Sequence, residues 1–379
     1  MTTEHNPVYL DHNATTPLLP EVVDAMLPYL REHFGNPSSG HIHGVRARSA
    51  VATARAQVAA LLGCDSDEVL FTSGGTEANN LAIRGVAAGR THIVTSVIEH
   101  PATSRPCDWL ESQGWRVTRV GVDSEGRIRL DEVDAAIGAD TALVTVMHSN
   151  NETGVLQPIA EVAAIARRHG ALTHTDAAQS IGKLPVDVGN LGVDLLSIAG
   201  HKMYAPKGVG VLYVRRGVPL RPLLLGADHE HGVRPGTENV ASIVALGQAC
   251  EILGRDLAAA SPRMRTLRDL LWRQLEAAIP DLALNGHREL RLPNTLNVRF
   301  PKVSGASVLA NAPGVAASTG SACHAGRDHA SATILAMGVT KDAAPGSVRL
   351  SVGRGTTHAE VSLAAAQLVS AWEAVIGAS

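Results

Sequence analysis

From about residue 50 to residue 250, short β-branched runs alternate with glycine or polar turns and with helical stretches. Glu68–Thr72, His92–Ser96, Ala142–Met147, Leu172–Asp176, Asp194–Ala199 and Val209–Val214 read as strands, short runs carrying β-branched residues and followed by glycine or polar turns. Thr76–Ala88 and Ile159–Arg168 read as helices; in the second, Ile159, Val162, Ala163 and Ala166 recur at i, i+3, i+4 and i+7. Strands alternating with helices predict an α/β domain with a mostly parallel sheet. After roughly residue 255 the texture changes. A charged helix at about 262–279 leads to strands at Leu292–Phe300, Gly314–Ala317 and Ser347–Val352. The last helix puts Val361, Ala364, Ala365 and Leu368 on one face. This predicts a second, smaller α+β domain, packed closely because no low-complexity linker precedes it.

Composition narrows the function classes. The 379 residues are 45% apolar and 18% charged, which is globular and large enough to need no disulfide or metal for stability. Basic and acidic residues number 33 and 36 and are interspersed, giving a net charge of −3 and no footprint for nucleic acid or an anionic membrane. Aromatics at 3% argue against a base-stacking platform. MTTEHNPVYL lacks the charged start and apolar run of a signal peptide, and apolar stretches such as Ala142–Met147 are too short to cross a bilayer. Cys64, Cys107, Cys250 and Cys323 are scattered with no CxxC pair, so a thiolate zinc site is not expected; the pattern predicts a cytoplasmic protein.

Five features carry candidate chemistry. Ser73-Gly74-Gly75-Thr76-Glu77 follows a strand and opens a helix; it is either a phosphate cradle or a plain glycine turn with Thr76 as N-cap. Asp176 ends an apolar strand, where α/β sheets bind ligands; it suits a pyridinium nitrogen, or caps the next helix. Lys202, after Gly200-His201 and a buried strand, suits a Schiff base if desolvated; a solvated surface lysine is the alternative. Cys323 lies in a small-residue loop as an accessible thiol, whereas the other three cysteines read as packing. Arg354, beyond the strand Ser347–Val352, suits a carboxylate or a surface ion pair. Phosphate cradle, pyridinium partner, lysine, thiol and carboxylate clamp together are the parts of a pyridoxal-phosphate enzyme with a catalytic cysteine.

The chain resembles cysteine desulfurases of the NifS/IscS type, within the pyridoxal-phosphate fold-type I, aminotransferase class V family. The matching segments include Tyr9-Leu10-Asp11-His12-Asn13-Ala14-Thr15-Thr16-Pro17, Phe34-Gly35-Asn36-Pro37, Asn150-Asn151-Glu152-Thr153-Gly154, Gly200-His201-Lys202, Arg234-Pro235-Gly236-Thr237-Glu238-Asn239 and Gly320-Ser321-Ala322-Cys323. They run from residue 9 to 354. The resemblance implies a large cofactor-binding domain over 15–255, and a small domain from 1–14 and 256–379 that carries the catalytic-cysteine loop. It implies that Lys202 holds the pyridoxal 5'-phosphate, Asp176 faces the ring nitrogen and His100 stacks on the ring and handles protons. Asn151 and Gln179 lie near the ring, and Gly75, Thr76 and His201 near the phosphate. Thr237 reaches the phosphate of the other subunit, which implies a homodimer. Cys323 forms the persulfide, with His100 or His324 as its activating base. Arg354, assisted by Asn36, clamps the L-cysteine carboxylate. A sulfur-acceptor protein is implied but not named.

Three departures stand out. Ala199 replaces a serine that often binds phosphate, so one hydrogen bond is missing or comes from Ser197 or water. Tyr204-Ala205-Pro206-Lys207-Gly208 replaces the usual Tyr-Gly-Pro-Lys-Gly, and Gly226-Ala227-Asp228-His229-Glu230 the usual Gly-Gly-Gly-Gln-Glu. The stretch from Cys323 to Gly338 resembles the long-loop group. Ser347–Glu360 and Ala322-Cys323-His324 also resemble selenocysteine lyases, although Pro101 stands where those have aspartate. A class V aminotransferase would not need Cys323, and an inactive cofactor-binding scaffold would give no turnover.

Overall fold

The computed structural model describes residues 6–86, 89–320 and 330–378. Chain order begins with β1 (Val8–Tyr9), α1 (Pro20–Arg31), α2 (Ile42–Leu62), β2 (Val69–Thr72), α3 (Gly75–Gly85), β3 (His92–Ser96), α4 (Pro101–Ser112) and β4 (Arg116–Val120). It continues through α5 (Leu130–Ala136), β5 (Thr141–Thr145), α6 (Ile159–Arg168), β6 (Leu172–Asp176), α7 (Val188–Leu191), β7 (Leu195–Ala199) and β8 (Gly210–Val214). The remainder is α8 (Val240–Ala278), β9 (Ala283–Leu284), β10 (Thr295–Arg299), α9 (Gly305–Ala310), β11 (Val315–Ala316), α10 (Ala332–Ala336), β12 (Ser347–Ser351) and α11 (His358–Gly377).

Seven strands form one sheet in the order β2-β8-β7-β6-β5-β3-β4, with β8 antiparallel to both neighbours and the other pairings parallel. The α/β expectation therefore holds. β3, β5 and β7 are buried along their whole length, as strands covered on both faces by helices must be. In α6 the expected face, Ile159, Val162, Ala163 and Ala166, is the buried one. α2 stops at Gly63, whose φ of 70° belongs to the left-handed region that glycine tolerates.

The second cluster joins β10, flanked by β12 and β9, to the parallel pair β1–β11, with α8 and α11 packed against them. α8 corrects the expectation of a separate helix at 262–279: it is one helix of 39 residues containing Pro262. Pro262 is exposed, so the backbone acceptor it leaves without an N–H partner can be hydrated. Ile243 to Leu253 of this helix pack on the large sheet, and Met264 to Leu275 on the small one. α11 also departs from expectation. By length and composition it is apolar enough to cross a bilayer. Its apolarity is spread over an alanine-rich helix with no dense apolar run. Val361, Ala364, Ala365 and Leu368 are buried in this second core cluster, and a capping box of Thr357 and Glu360 starts the helix.

Candidate active site

A cavity of about 220 Å³ lies at the carboxyl ends of the central strands, as expected for an open α/β sheet. Gly75, Thr76, His100, Asn151, Asp176, Gln179, His201 and Lys202 all border it, together with Asn13, Asn79 and Arg349. Asp176 ends β6; its Oδ1 accepts from Ala178 N at 2.9 Å and its Oδ2 from Asn79 Nδ2 at 2.7 Å. Lys202 follows β7 in a short 3-10 turn.

The glycine turn has Gly74, not Thr76, at the N-cap, with no side-chain cap bond. Gly74 has φ of 150° and open space where a side chain would project. The first N–H groups of α3 and its dipole are thus available to an anion at the cavity edge. A Cβ on Gly75 would lie 3.2 Å from that of Ala199, so the serine-to-alanine departure lies directly against this turn. Ser197 does not replace the missing hydroxyl: it is fully buried and its Oγ lies 2.9 Å from His174 Nε2.

His100 caps α4, its Nδ1 accepting from Ala102 N at 3.1 Å. That bond assigns the ring proton to Nε2. Burial lowers its pKa, Lys202 adds to the effect and Asp176 opposes it, so the neutral ring is favoured. Burial first, then Lys202, pulls His201 down to about 4. His201 Nδ1 sits 3.2 Å from Thr15 Oγ1.

The two expected clamp residues, Arg354 and Asn36, lie outside the cavity lining. Arg354 donates from Nη2 to Asp256 Oδ2 at 2.5 Å, outside the cavity lining. Asn36 is exposed and its Oδ1 accepts from Ser38 N at 2.9 Å. Arg349 occupies the cavity wall instead. It is 2% exposed, donates from Nη1 to Asn151 O at 3.0 Å and from Nη2 to Asp11 Oδ1 at 2.7 Å, and its Nε has no partner among the described residues. Strand alternation is the signal that could have found it. Val348, Leu350 and Val352 belong to the apolar core, which turns Ser347, Arg349 and Ser351 to the opposite face. Thr237 is exposed and outside the cavity lining, but its segment is tied to α3 by Arg234 Nε and Glu77 Oε1 at 2.8 Å. Cys323 and His324 lie outside the described residues.

Asn13, Lys183 and Glu99 were also missed. Asn13 O accepts from Gln179 Nε2 at 2.9 Å, its Nδ2 donates to Thr295 Oγ1 at 2.9 Å and its N donates to Ser351 Oγ at 3.0 Å, which joins the two core regions behind the cavity. Lys183 Nζ donates to Gln179 Oε1 at 3.0 Å; burial, then Lys202 and Arg349, brings it down to about 7. Glu99 is partly buried as a residue, but its carboxylate is enclosed: Oε1 accepts from Ser96 Oγ at 2.5 Å and Met147 N at 3.0 Å, and Oε2 is buried. Burial pushes its carboxyl up to about 8, against these two bonds.

Glu99 gives a pH prediction. Its folded pKa lies above the ordinary 4.5, so its stabilisation is complete below 4.5 and is lost as pH rises through about 8. Glu99→Gln keeps the Oε1 acceptor and cannot ionise. Between pH 5 and 7.5 the stability of the wild type should fall relative to this variant by up to about 1.4 kcal/mol per pH unit. Urea unfolding at three pH values checks this, and parallel curves would reject it.

The amino-acid sequence matches the aminotransferase class-V family over residues 8–363. The chain belongs to that family. It is 47% identical over 359 residues to a cysteine desulfurase of Nostoc sp. (strain PCC 7120), covering 93% of this chain and 90% of that relative. It is 45% identical over 361 residues to cysteine desulfurase IscS of Dictyoglomus turgidum, covering 94% and 92%. A solved NifS-like protein superposes with a TM-score of 0.90 at 36% identity, covering 96% of this chain and 98% of that one. Within this family fold, Cys64, Cys107 and Cys250 are poor nucleophiles: burial pushes each thiol up to about 12.

Proposed function

We propose that the chain is a pyridoxal-phosphate-dependent cysteine desulfurase, converting L-cysteine to L-alanine and leaving sulfur as a persulfide on Cys323 for an acceptor protein. The observation that carries this reading is the meeting of Lys202, Asp176, the open N-terminus of α3 and Arg349 around one cavity. The donor set fits the cofactor: a carboxylate for the ring nitrogen, backbone N–H groups for the phosphate and a lysine for the carbonyl carbon. When bound, the cofactor supplies an electron sink for the substrate Cα.

Asp176, braced by Ala178 N–H and Asn79, holds the proton on the ring nitrogen. Gly75, Thr76 and His201 hold the phosphate, while Gln179 and Asn151 position the ring. Lys202 Nζ accepts the substrate α-proton. Arg349 binds the carboxylate; two contacts occupy only part of its five N–H donors. The Cys323 thiolate attacks the substrate sulfur, forming an S–S bond as the Cβ–S bond breaks. With its proton on Nε2, His100 is set to donate a hydrogen bond to an anion rather than to accept the thiol proton there. That modifies its expected role as base.

The test uses the wild-type protein. Incubation with L-cysteine should release alanine, and borohydride reduction followed by peptide mapping should place a pyridoxyl group on Lys202. No alanine, or labelling confined to Lys207 or Lys183, would sink the reading.

A homodimer is part of the same proposal. Thr237 is exposed, and so are the apolar side chains of Phe34 at 76% and Leu225 at 92%. Mixed dimers of Thr237→Ala and Lys202→Ala chains should regain activity that neither parent has in full. Full activity in a monomer would contradict the shared site. The three described cysteines are unpaired, which supports a cytoplasmic setting that cell fractionation can check.

A further inference from the structure

A second cavity, of about 210 Å³, lies in the small domain between α8 and the segment 284–296, away from the proposed cysteine site. Four arginines border it: Arg268, Arg273, Arg288 and Arg291. Among the described residues the acids in its lining are Asp269 and Glu289, which leaves a formal excess of two positive charges there. Arg273 and Arg288 are exposed at the mouth. Arg291 and Arg268, 2% and 6% exposed, form the floor beside Trp272, which is 9% exposed.

The floor has unused donors. Arg291 donates from Nε to His287 O at 2.6 Å and from Nη2 to Asn285 O at 2.8 Å, but Nη1 has no partner among the described residues. Trp272 Nε1 is likewise buried and unpartnered among them. Arg268 donates from Nε to Asp269 Oδ1 at 2.9 Å and from Nη1 to Leu292 O at 2.8 Å. Asp269, about half exposed, is thus engaged by Arg268, and no ion pair to Arg291 is present among the described residues. A buried guanidinium facing another one, with no acid of its own, is costly unless an anion joins it.

We propose that this cavity binds a small, multiply charged oxyanion between the buried Arg291 and Arg268, with the exposed Arg273 and Arg288 drawing it in. Planar guanidinium forks and an indole N–H suit phosphate or carboxylate oxygens. The volume is about that of seven waters at about 30 Å³ each, enough for such an ion. The site also touches the cysteine site indirectly. Arg291 bridges to Val155, and Leu292 N donates to Gly154 O at 2.8 Å, in the loop that carries Asn151.

The test uses cofactor-saturated protein, so that the cofactor's own phosphate site is filled. Inorganic phosphate and citrate are titrated in separate arms by calorimetry, with sodium chloride holding ionic strength constant. Saturable binding of at least one is expected, at least tenfold weaker in the double variant Arg273→Ala with Arg288→Ala. That variant changes only exposed side chains and should keep its melting temperature in the absence of the anion. The arm that binds identifies phosphate-type or carboxylate-type chemistry. Arg291→Met, if it folds, should lose the melting-temperature rise that the anion gives the wild type. No saturable binding of either anion, or equal affinity in wild type and double variant, would overturn the proposal.

Discussion

Lysine in place of Arg349 is expected to raise KM for L-cysteine by about 10²-fold, equivalent to about 3 kcal/mol of binding. Alanine in place of Arg354 is expected to change it by less than tenfold. Arg349 is a planar fork on the cavity wall, and lysine keeps the charge but presents a point donor that cannot grip both oxygens of a carboxylate. Arg354 is committed to Asp256, which retains Arg255 as a second partner when Arg354 is removed. Circular dichroism and cofactor absorbance on both variants separate a binding defect from a folding one. The opposite ranking, with Arg354→Ala the damaging change, would return the carboxylate clamp to Arg354.

That contrast shows what the sequence could and could not carry. Six of the seven strands of the large sheet are legible as short β-branched runs, and Leu172–Asp176 appears with the expected bounds. The edge strand β4, buried only at its last residue and interrupted by two arginines, is not among the strands read from the sequence. The glycine turn and the Gly-His-Lys turn are legible because each follows such a strand. Arg349 and Arg354 stand five residues apart in one motif, and only the facing of β12 separates them. The continuity of α8 was hidden by Pro262, a residue that ordinarily ends helices but is tolerated here on an exposed face. Asn13, Lys183 and Glu99 were hidden for another reason. Asn13 meets Gln179 and Thr295, and Glu99 meets Met147, across long sequence separations, and the burial that shifts Glu99 and Lys183 comes from the surrounding fold, which no local pattern encodes.

Alanine at Cys323 should cut L-cysteine turnover by about 10³-fold, equivalent to about 4 kcal/mol of transition-state stabilisation. Sulfur bound to carbon departs poorly as hydrosulfide, so a thiolate must take it. Among the described cysteines no substitute is at hand, since Cys64, Cys107 and Cys250 are all held as thiols by burial and none borders the cavity. A selenol is more acidic and its carbon–selenium bond is weaker, so selenium can leave with less help. The variant should therefore form no persulfide and almost no alanine from cysteine, while retaining part of its cleavage of L-selenocysteine. Alanine release from both substrates, measured side by side, reads the difference. Strong selenocysteine turnover by the wild type with no turnover of cysteine would make the chain a selenocysteine lyase. Undiminished alanine release from cysteine in Cys323→Ala would remove Cys323 from the reaction and pass the sulfur to another acceptor, whereas cysteine consumed to its 2-oxo acid with no alanine released would favour a class V aminotransferase, which needs no thiol at that position.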